Sequence, residues 1–217
     1  MSTADKDHYT LNRADAYATH HEKSARTRLT TRRERSLLAR ALRAAGTPQV
    51  VLDLPCGTGR FWPAVAASGA QRLIAGDNSA GMLEVAGRNA LGPGFPEQLI
   101  NTSLFAIDLA DDSVDFVACM RFFQHLAYSE DRLAVLAEIK RVSRRFAAIS
   151  LWVDGNLGAW RRRGRSLPTR ERGYGKRVCI PRDQIESDFA AADFTVVDHF
   201  DVWPRLAMWR MYLIECR

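Results

Sequence analysis

The chain has 217 residues, 47% of them hydrophobic, with 31 basic against 25 acidic side chains and a formal net charge of +6. That is chain enough for one domain with a full core; no run is apolar enough to span a membrane, and the polar Met1–His8 start is no secretory leader. Cys56, Cys119, Cys179 and Cys216 are scattered, with no CxxC pair or histidine cluster, which argues against a metal site or a disulfide framework and makes a reducing cytoplasm the expectation.

In chain order, residues 12–24 read as a short helix and 30–46 as a firmer one, with Leu37, Leu38 and Leu42 on one face and Gly46-Thr47-Pro48 as its stop. Strands are predicted near 49–54, 71–76, 97–101, 114–119, 145–153, 194–202 and 206–215. Helices are predicted near 59–68, 79–90, 130–143 and 181–192. Such alternation specifies an α/β, doubly wound sheet with helices on both faces. Only Trp203-Pro204 separates the last two strands, so a hairpin there makes the last strand antiparallel in a seven-stranded, otherwise mostly parallel sheet. No repeat or low-complexity tract is visible.

The most informative stretch is Val50-Val51-Leu52-Asp53-Leu54-Pro55-Cys56-Gly57-Thr58-Gly59-Arg60-Phe61. An apolar run ends in a carboxylate, turns through two glycines and enters a helix, which is how a parallel strand delivers a nucleotide-like ligand onto a helix N-terminus. A dinucleotide fits poorly. The third glycine of its fingerprint falls on Trp62, whose indole obstructs close helix–strand packing, and Asp53 at the mouth of the turn repels a pyrophosphate. A ligand with positive charge suits that carboxylate, and S-adenosylmethionine (SAM) carries an ammonium and a sulfonium.

Residues 50–61 resemble motif I of the class I, Rossmann-like SAM-dependent methyltransferases. Leu73-Ile74-Ala75-Gly76-Asp77-Asn78-Ser79-Ala80-Gly81-Met82-Leu83 resembles that family's second strand and turn. Ala110-Asp111-Asp112-Ser113-Val114-Asp115-Phe116-Val117-Ala118-Cys119 is similar to its acidic turn and fourth strand, and Arg121-Phe122-Phe123-Gln124-His125-Leu126 to the segment bordering the active site. The resemblance is to the small-molecule, UbiE/UbiG-like type, covers residues 50–126 well and extends beyond them only as a strand–helix pattern.

The resemblance implies a SAM site in which Asp53, Cys56, Gly57 and Gly59 form the cofactor turn and Asp77 takes the ribose hydroxyls. Asn78 and Met82 flank the adenine, with Ser103 standing where many members carry an aspartate for the adenine amino group. Leu104 brings a backbone N–H to the ring, and Cys119 and Met120 offer carbonyls to the methionine ammonium. Pro55 replaces the commoner glycine and removes one N–H from the turn. Cys56 reads more simply as a small packing residue than as a nucleophile. The implied division is a single domain, 1–217: an N-terminal helical lid (1–46), a SAM-binding core (47–154), a basic insertion after the fifth strand (155–180), and a C-terminal helix and hairpin (181–217).

Methyl transfer from a sulfonium needs alignment more than acid–base help, so catalytic residues leave little trace in sequence. His125, just after the fourth strand, is the candidate base or else a histidine packed on the helix and hydrogen-bonded to backbone. Tyr17, Arg121, Gln124, Asp154 and Arg161 are candidate substrate contacts, although an Asx-capped turn accounts for Asp154 and Asn156 equally well. Arginines gather on the second predicted helix and again in Trp160-Arg161-Arg162-Arg163-Gly164-Arg165, continuing to Arg177. Either this charge is solvated or it meets an anionic partner. The expected function is a bacterial, cytoplasmic methyltransferase acting on an O or N nucleophile of a small anionic molecule or glycoconjugate. The alternatives are an RNA methyltransferase using the basic segments, for which aromatic interleaving is thin, and a non-catalytic SAM-binding module.

Overall fold

A computed structural model describes residues 24–92, 95–162 and 177–217. The helix expected ahead of Ser24, Tyr17, and the arginine run from Arg163 to Lys176 lie outside the described residues. Seven strands, β1 (Val50–Asp53), β2 (Arg72–Asp77), β3 (Gln98–Asn101), β4 (Val114–Cys119), β5 (Ser143–Trp152), β6 (Phe194–Asp201) and β7 (Trp209–Cys216), pair into one sheet in the order β3-β2-β1-β4-β5-β7-β6. The first five run parallel, and β7 is antiparallel to both of its neighbours. This is the expected doubly wound architecture.

Among the described residues, six helices flank the sheet: α1 (Ala25–Ala44), α2 (Trp62–Ala66), α3 (Ala80–Arg88), α4 (Ser129–Val142), α5 (Leu157–Trp160) and α6 (Arg182–Ala191). Alternation along each strand sends neighbouring side chains to opposite faces. Leu52, Val117, Ile149, Tyr212 and Ile214 pack under Val135, Leu136 and Ile139 of α4 and Ile185 and Phe189 of α6. Val51, Phe116, Ala148 and Leu213 pack with Leu37, Leu38, Ala41 and Leu42 of α1 and Trp62 and Val65 of α2. None of the described helices is long and apolar enough to cross a membrane.

Two helices differ from their predicted bounds for local reasons. Helix α1 starts five residues earlier than expected, because the Ser24 hydroxyl caps it by accepting from the Thr27 N–H. Its buried face then reads Thr31, Glu34, Leu37, Leu38, Ala41 and Leu42, so a carboxylate sits where the pattern calls for an apolar residue. Helix α2 is shorter than expected: Gly59 has φ +77°, incompatible with a helical turn, and Gly69, at φ +87°, bars extension.

The helices α4 and α6 are clamped together by a buried ion pair. Asp188 accepts from Arg132 Nε at 2.6 Å, and Arg132 Nη1 donates to the carbonyls of Leu126 and Ala127 at 3.0 and 3.1 Å. Both side chains are 3% exposed. Asp188→Ala leaves a buried guanidinium without its charge partner, a loss of about 3–5 kcal/mol. The urea midpoint should fall accordingly, and an unchanged midpoint would mean that water reaches this pair.

Candidate functional site

In an open α/β sheet a ligand crevice forms at the carboxyl ends of the strands, where the winding direction reverses. Here that point lies between β1 and β4. The chain leaving β1 is held on both sides: the Leu54 N–H donates to the Ala118 carbonyl of β4 at 3.1 Å, and the Cys56 N–H to the Gly76 carbonyl of β2 at 2.7 Å. Pro55, joined through a cis bond to Leu54, falls between these two donors, so its missing N–H interrupts neither bond. Gly57 follows at φ +55°, with open space where a Cβ would stand. A ligand can therefore approach this backbone closely.

Asp77, at the end of β2, is 5% exposed and braces the turn from below. Its Oδ2 accepts from the Gly57 N–H and its Oδ1 from the Ser79 N–H, both at 2.9 Å. Burial raises its carboxyl above the ordinary range, and those backbone N–H groups oppose the rise. Each carboxylate oxygen keeps further acceptor capacity for a hydroxyl. Ser79 caps α3 by accepting from the Met82 N–H, Met82 is buried, and Asn78 stands exposed between Asp77 and Ser79. After β3, the Ser103 hydroxyl accepts from the Phe105 N–H at 3.2 Å, and Leu104 is buried behind it. Cys119 and Met120 close the rim at the end of β4, both buried.

Asp53 is placed differently from the expectation. Its carboxyl is fully buried beneath the turn rather than standing at its mouth, and its Oδ2 accepts from Trp62 Nε1 at 3.1 Å. Trp62 does not obstruct the turn. It is wholly buried against Gly59, where an added Cβ would come within 2.7 Å of the indole. Burial pushes the Asp53 carboxyl up to about 8, with the Trp62 hydrogen bond pulling it down, Asp77 adding to the rise and Arg60 opposing it. Its Oδ1 has no hydrogen-bond partner among the described residues. The Cys56 thiol is also driven up, by burial and then by Asp53 and Asp77, so it packs as a neutral group.

The expected substrate contacts are rearranged. Arg121, in the left-handed region at φ +61°, turns its guanidinium onto Glu34 of α1: Nε donates to Oε1 at 2.9 Å and Nη2 to Oε2 at 2.6 Å. It also lies 4.5 Å from the centroid of Trp209. Arg60 reaches the same carboxylate at 3.5 Å. Arg121 thus acts as a clasp holding α1. Asp154 accepts from the Arg182 N–H at 3.1 Å and lies 3.4 Å from its guanidinium. Asn156 caps α5 by accepting from the Ala159 N–H at 2.9 Å, which is the turn reading. Gln124 is 1% exposed and donates to the Arg121 carbonyl, leaving its Oε1 buried without a partner among the described residues. His125 is half-buried in the 3-10 turn Phe123–His125, and Arg161 is exposed at the end of α5. Glu34 and Trp62 were missed as parts of this region. Glu34's place on an apolar helical face was the available signal.

The residues present suit a cationic nucleoside ligand such as SAM. Gly57 offers open backbone, Asp77 offers acceptors for hydroxyls, and Asp53 holds an unpartnered buried oxygen close to the turn. Because folding keeps Asp53 protonated up to about 8 while the unfolded chain ionises it near 3.8, the folded state retains a proton across that interval. Stability should therefore fall as pH rises between those values. Asp53→Asn removes this titration and keeps an acceptor for Trp62. Urea midpoints at acidic and mildly alkaline pH should converge in the variant relative to the parent; parallel profiles would put Asp53 in contact with water.

Comparisons with known proteins agree with this geometry. Residues 51–145 match the family model described as a methyltransferase domain. A methyltransferase-like protein of Schizosaccharomyces pombe is 35% identical over 121 residues, covering 55% of this chain and 41% of that protein. The chain thus spans about two fifths of that relative's length. Among solved structures, magnesium protoporphyrin IX methyltransferase from Synechocystis with bound S-adenosylhomocysteine (SAH) superposes with a TM-score of 0.74, at 16% identity over 99% of both chains. A SAM-dependent methyltransferase from Clostridium acetobutylicum gives 0.71, at 12% identity over 93% of this chain and 98% of that one. At such identities the structural likeness speaks for the fold. The glycine turn, the sheet order and the matched model fall on the same residues: the segment 51–145 matches the methyltransferase-domain model and lies in a fold shared with SAM-dependent methyltransferases.

Proposed function

We propose that the chain is an enzyme that transfers a methyl group from SAM to an O or N nucleophile of a small anionic acceptor. The observation that carries this reading is the single edge at the ends of β1, β2 and β4. It brings together an open glycine backbone, the braced Asp77 carboxylate and the unpartnered oxygen of Asp53. When bound, SAM supplies an electrophilic methyl on a sulfonium. Gly57 and Gly59 allow close approach, Asp77 accepts the ribose hydroxyls, and Met82 and Leu104 present apolar surface to the adenine. The Cys119 and Met120 carbonyls face the positive end, and Asp53 supports the turn from beneath. Arg121 and Glu34 draw α1 onto the same edge and help exclude water from it. Where the acceptor needs its proton removed, His125 takes that task in this reading, supported by its place in the turn after β4.

An RNA acceptor is less favoured, because part of the basic helix is engaged by other residues of the chain. Arg35 Nε donates to the Arg60 carbonyl at 2.7 Å, and Arg40 lies 4.7 Å from the Phe200 centroid and 4.0 Å from the Asp198 carboxylate.

Titration calorimetry with SAH is the direct test. Saturable heat is expected, and Asp77→Asn should weaken binding by about tenfold or more, through lost charge-assisted bonds to hydroxyls. Absence of heat with the parent chain would overturn the reading; an Asp77→Asn affinity equal to the parent's would remove Asp77 from the ribose site.

A further inference from the structure

Past the end of β5 the chain collects positive charge that the cofactor edge does not use. Trp152 ends that strand at 7% exposure. Trp209 meets its indole edge-on, with centroids 5.5 Å apart. The guanidinium carbons of Arg162 and Arg177 lie 4.8 and 5.4 Å from its ring centroid. Either cation alone is attracted to the ring, but two against one indole also repel each other. Among the described residues, neither guanidinium has a carboxylate at ion-pair distance, and Asp154 is committed to Arg182.

Two buried polar atoms in the same region also lack partners. Trp152 Nε1 has no acceptor and Gln124 Oε1 has no donor among the described residues. One short strip joins them: the Val178 N–H donates to the Gln124 carbonyl at 2.7 Å and the Ile180 N–H to the Trp152 carbonyl at 2.9 Å, with Arg177 at its head. The sheet register sets the distance to the cofactor edge. Cys119 lies opposite Ile149, so Trp152 stands three residues farther along β5. At the rise of a strand this is roughly 10 Å past the rim, the reach of a substituent on a small acceptor.

We propose that Arg162, Arg177 and the indole of Trp152 form a subsite for an oxyanion, a carboxylate or phosphate, carried by the methyl acceptor, with Gln124 Oε1 receiving a donor from the same molecule. The proposal rests on the methyltransferase reading and gives its anionic acceptor a place to bind. It moves the specificity role expected of Arg161 to its neighbour. An oxyanion there neutralises two cations at once and supplies the acceptor that the buried indole N–H lacks.

The full chain labelled with 5-fluorotryptophan tests this by fluorine NMR, with the Trp152 resonance assigned by its loss in Trp152→Phe. Inorganic phosphate and benzoate are titrated separately at constant ionic strength. A saturable shift of the Trp152 resonance is expected. Each of Arg162→Gln and Arg177→Gln should raise the half-saturation concentration several-fold, and the double variant should abolish the shift while keeping a dispersed, folded spectrum. Arg161→Gln should leave it unchanged. A response to benzoate alone identifies a carboxylate subsite, and one to phosphate alone a phosphate subsite. No shift with either anion, a non-saturating drift, or the same shift in the double variant overturns the proposal. SAH heat in the parent chain separates the two failures: with heat retained, only the subsite falls, and without it the methyltransferase reading falls as well.

Discussion

The carboxylate of Glu34 is the point on which the working edge of this molecule is hung. It is 1% exposed, on a helix packed against the sheet, and an isolated charge there would be prohibitive. Two arginines from different segments relieve it: Arg121 from the turn after β4 and Arg60 from the turn after β1. Arg121 in turn lies on Trp209 of β7. One buried anion therefore ties together α1, the glycine turn, the post-β4 turn and the far side of the sheet. Such a pair adds less to stability than its short distances imply, because desolvation offsets much of the attraction. What it fixes is position, since neither turn can move without uncovering the charge.

The glycine turn shows a second use of a buried acid. Asp53 lies under the backbone that a ligand would touch, held by Trp62, which itself occupies the space left by Gly59. Three residues that looked like separate features of a motif are one packing unit. A side chain larger than glycine at position 59 would push the indole away and release the carboxyl. The turn is thus shaped from within as much as by its own backbone preferences.

Much of the fold and part of the site were legible in the sequence. Strand periodicity, the two glycines and the carboxylate ending the second strand follow from local pattern, as does the doubly wound sheet with its antiparallel last strand, whereas the strand order is a finding of the structure. Long-range pairings were not legible. Glu34 and Arg121 are 87 residues apart, and nothing near Arg121 distinguishes a clasp from a substrate contact. Asp154 and Asn156 were open between turn chemistry and binding, and what the structure adds is the Asn156 cap and the pairing of Asp154 with Arg182, 28 residues away. Trp62 was read as an obstruction because a sequence shows size and not direction.

The position of β7 has a consequence for how the chain can be assembled. It is the last strand in order, yet it lies between β5 and β6, pairing residues 146–152 with 209–215. While the chain is being synthesised, β5 has an open outer edge and β6 has nothing to dock on until the final strand emerges. An apolar strand waiting in that state invites pairing with other chains. The Trp209 ring beneath Arg121 arrives with the same strand, so the edge that receives the ligand is incomplete until β7 has docked.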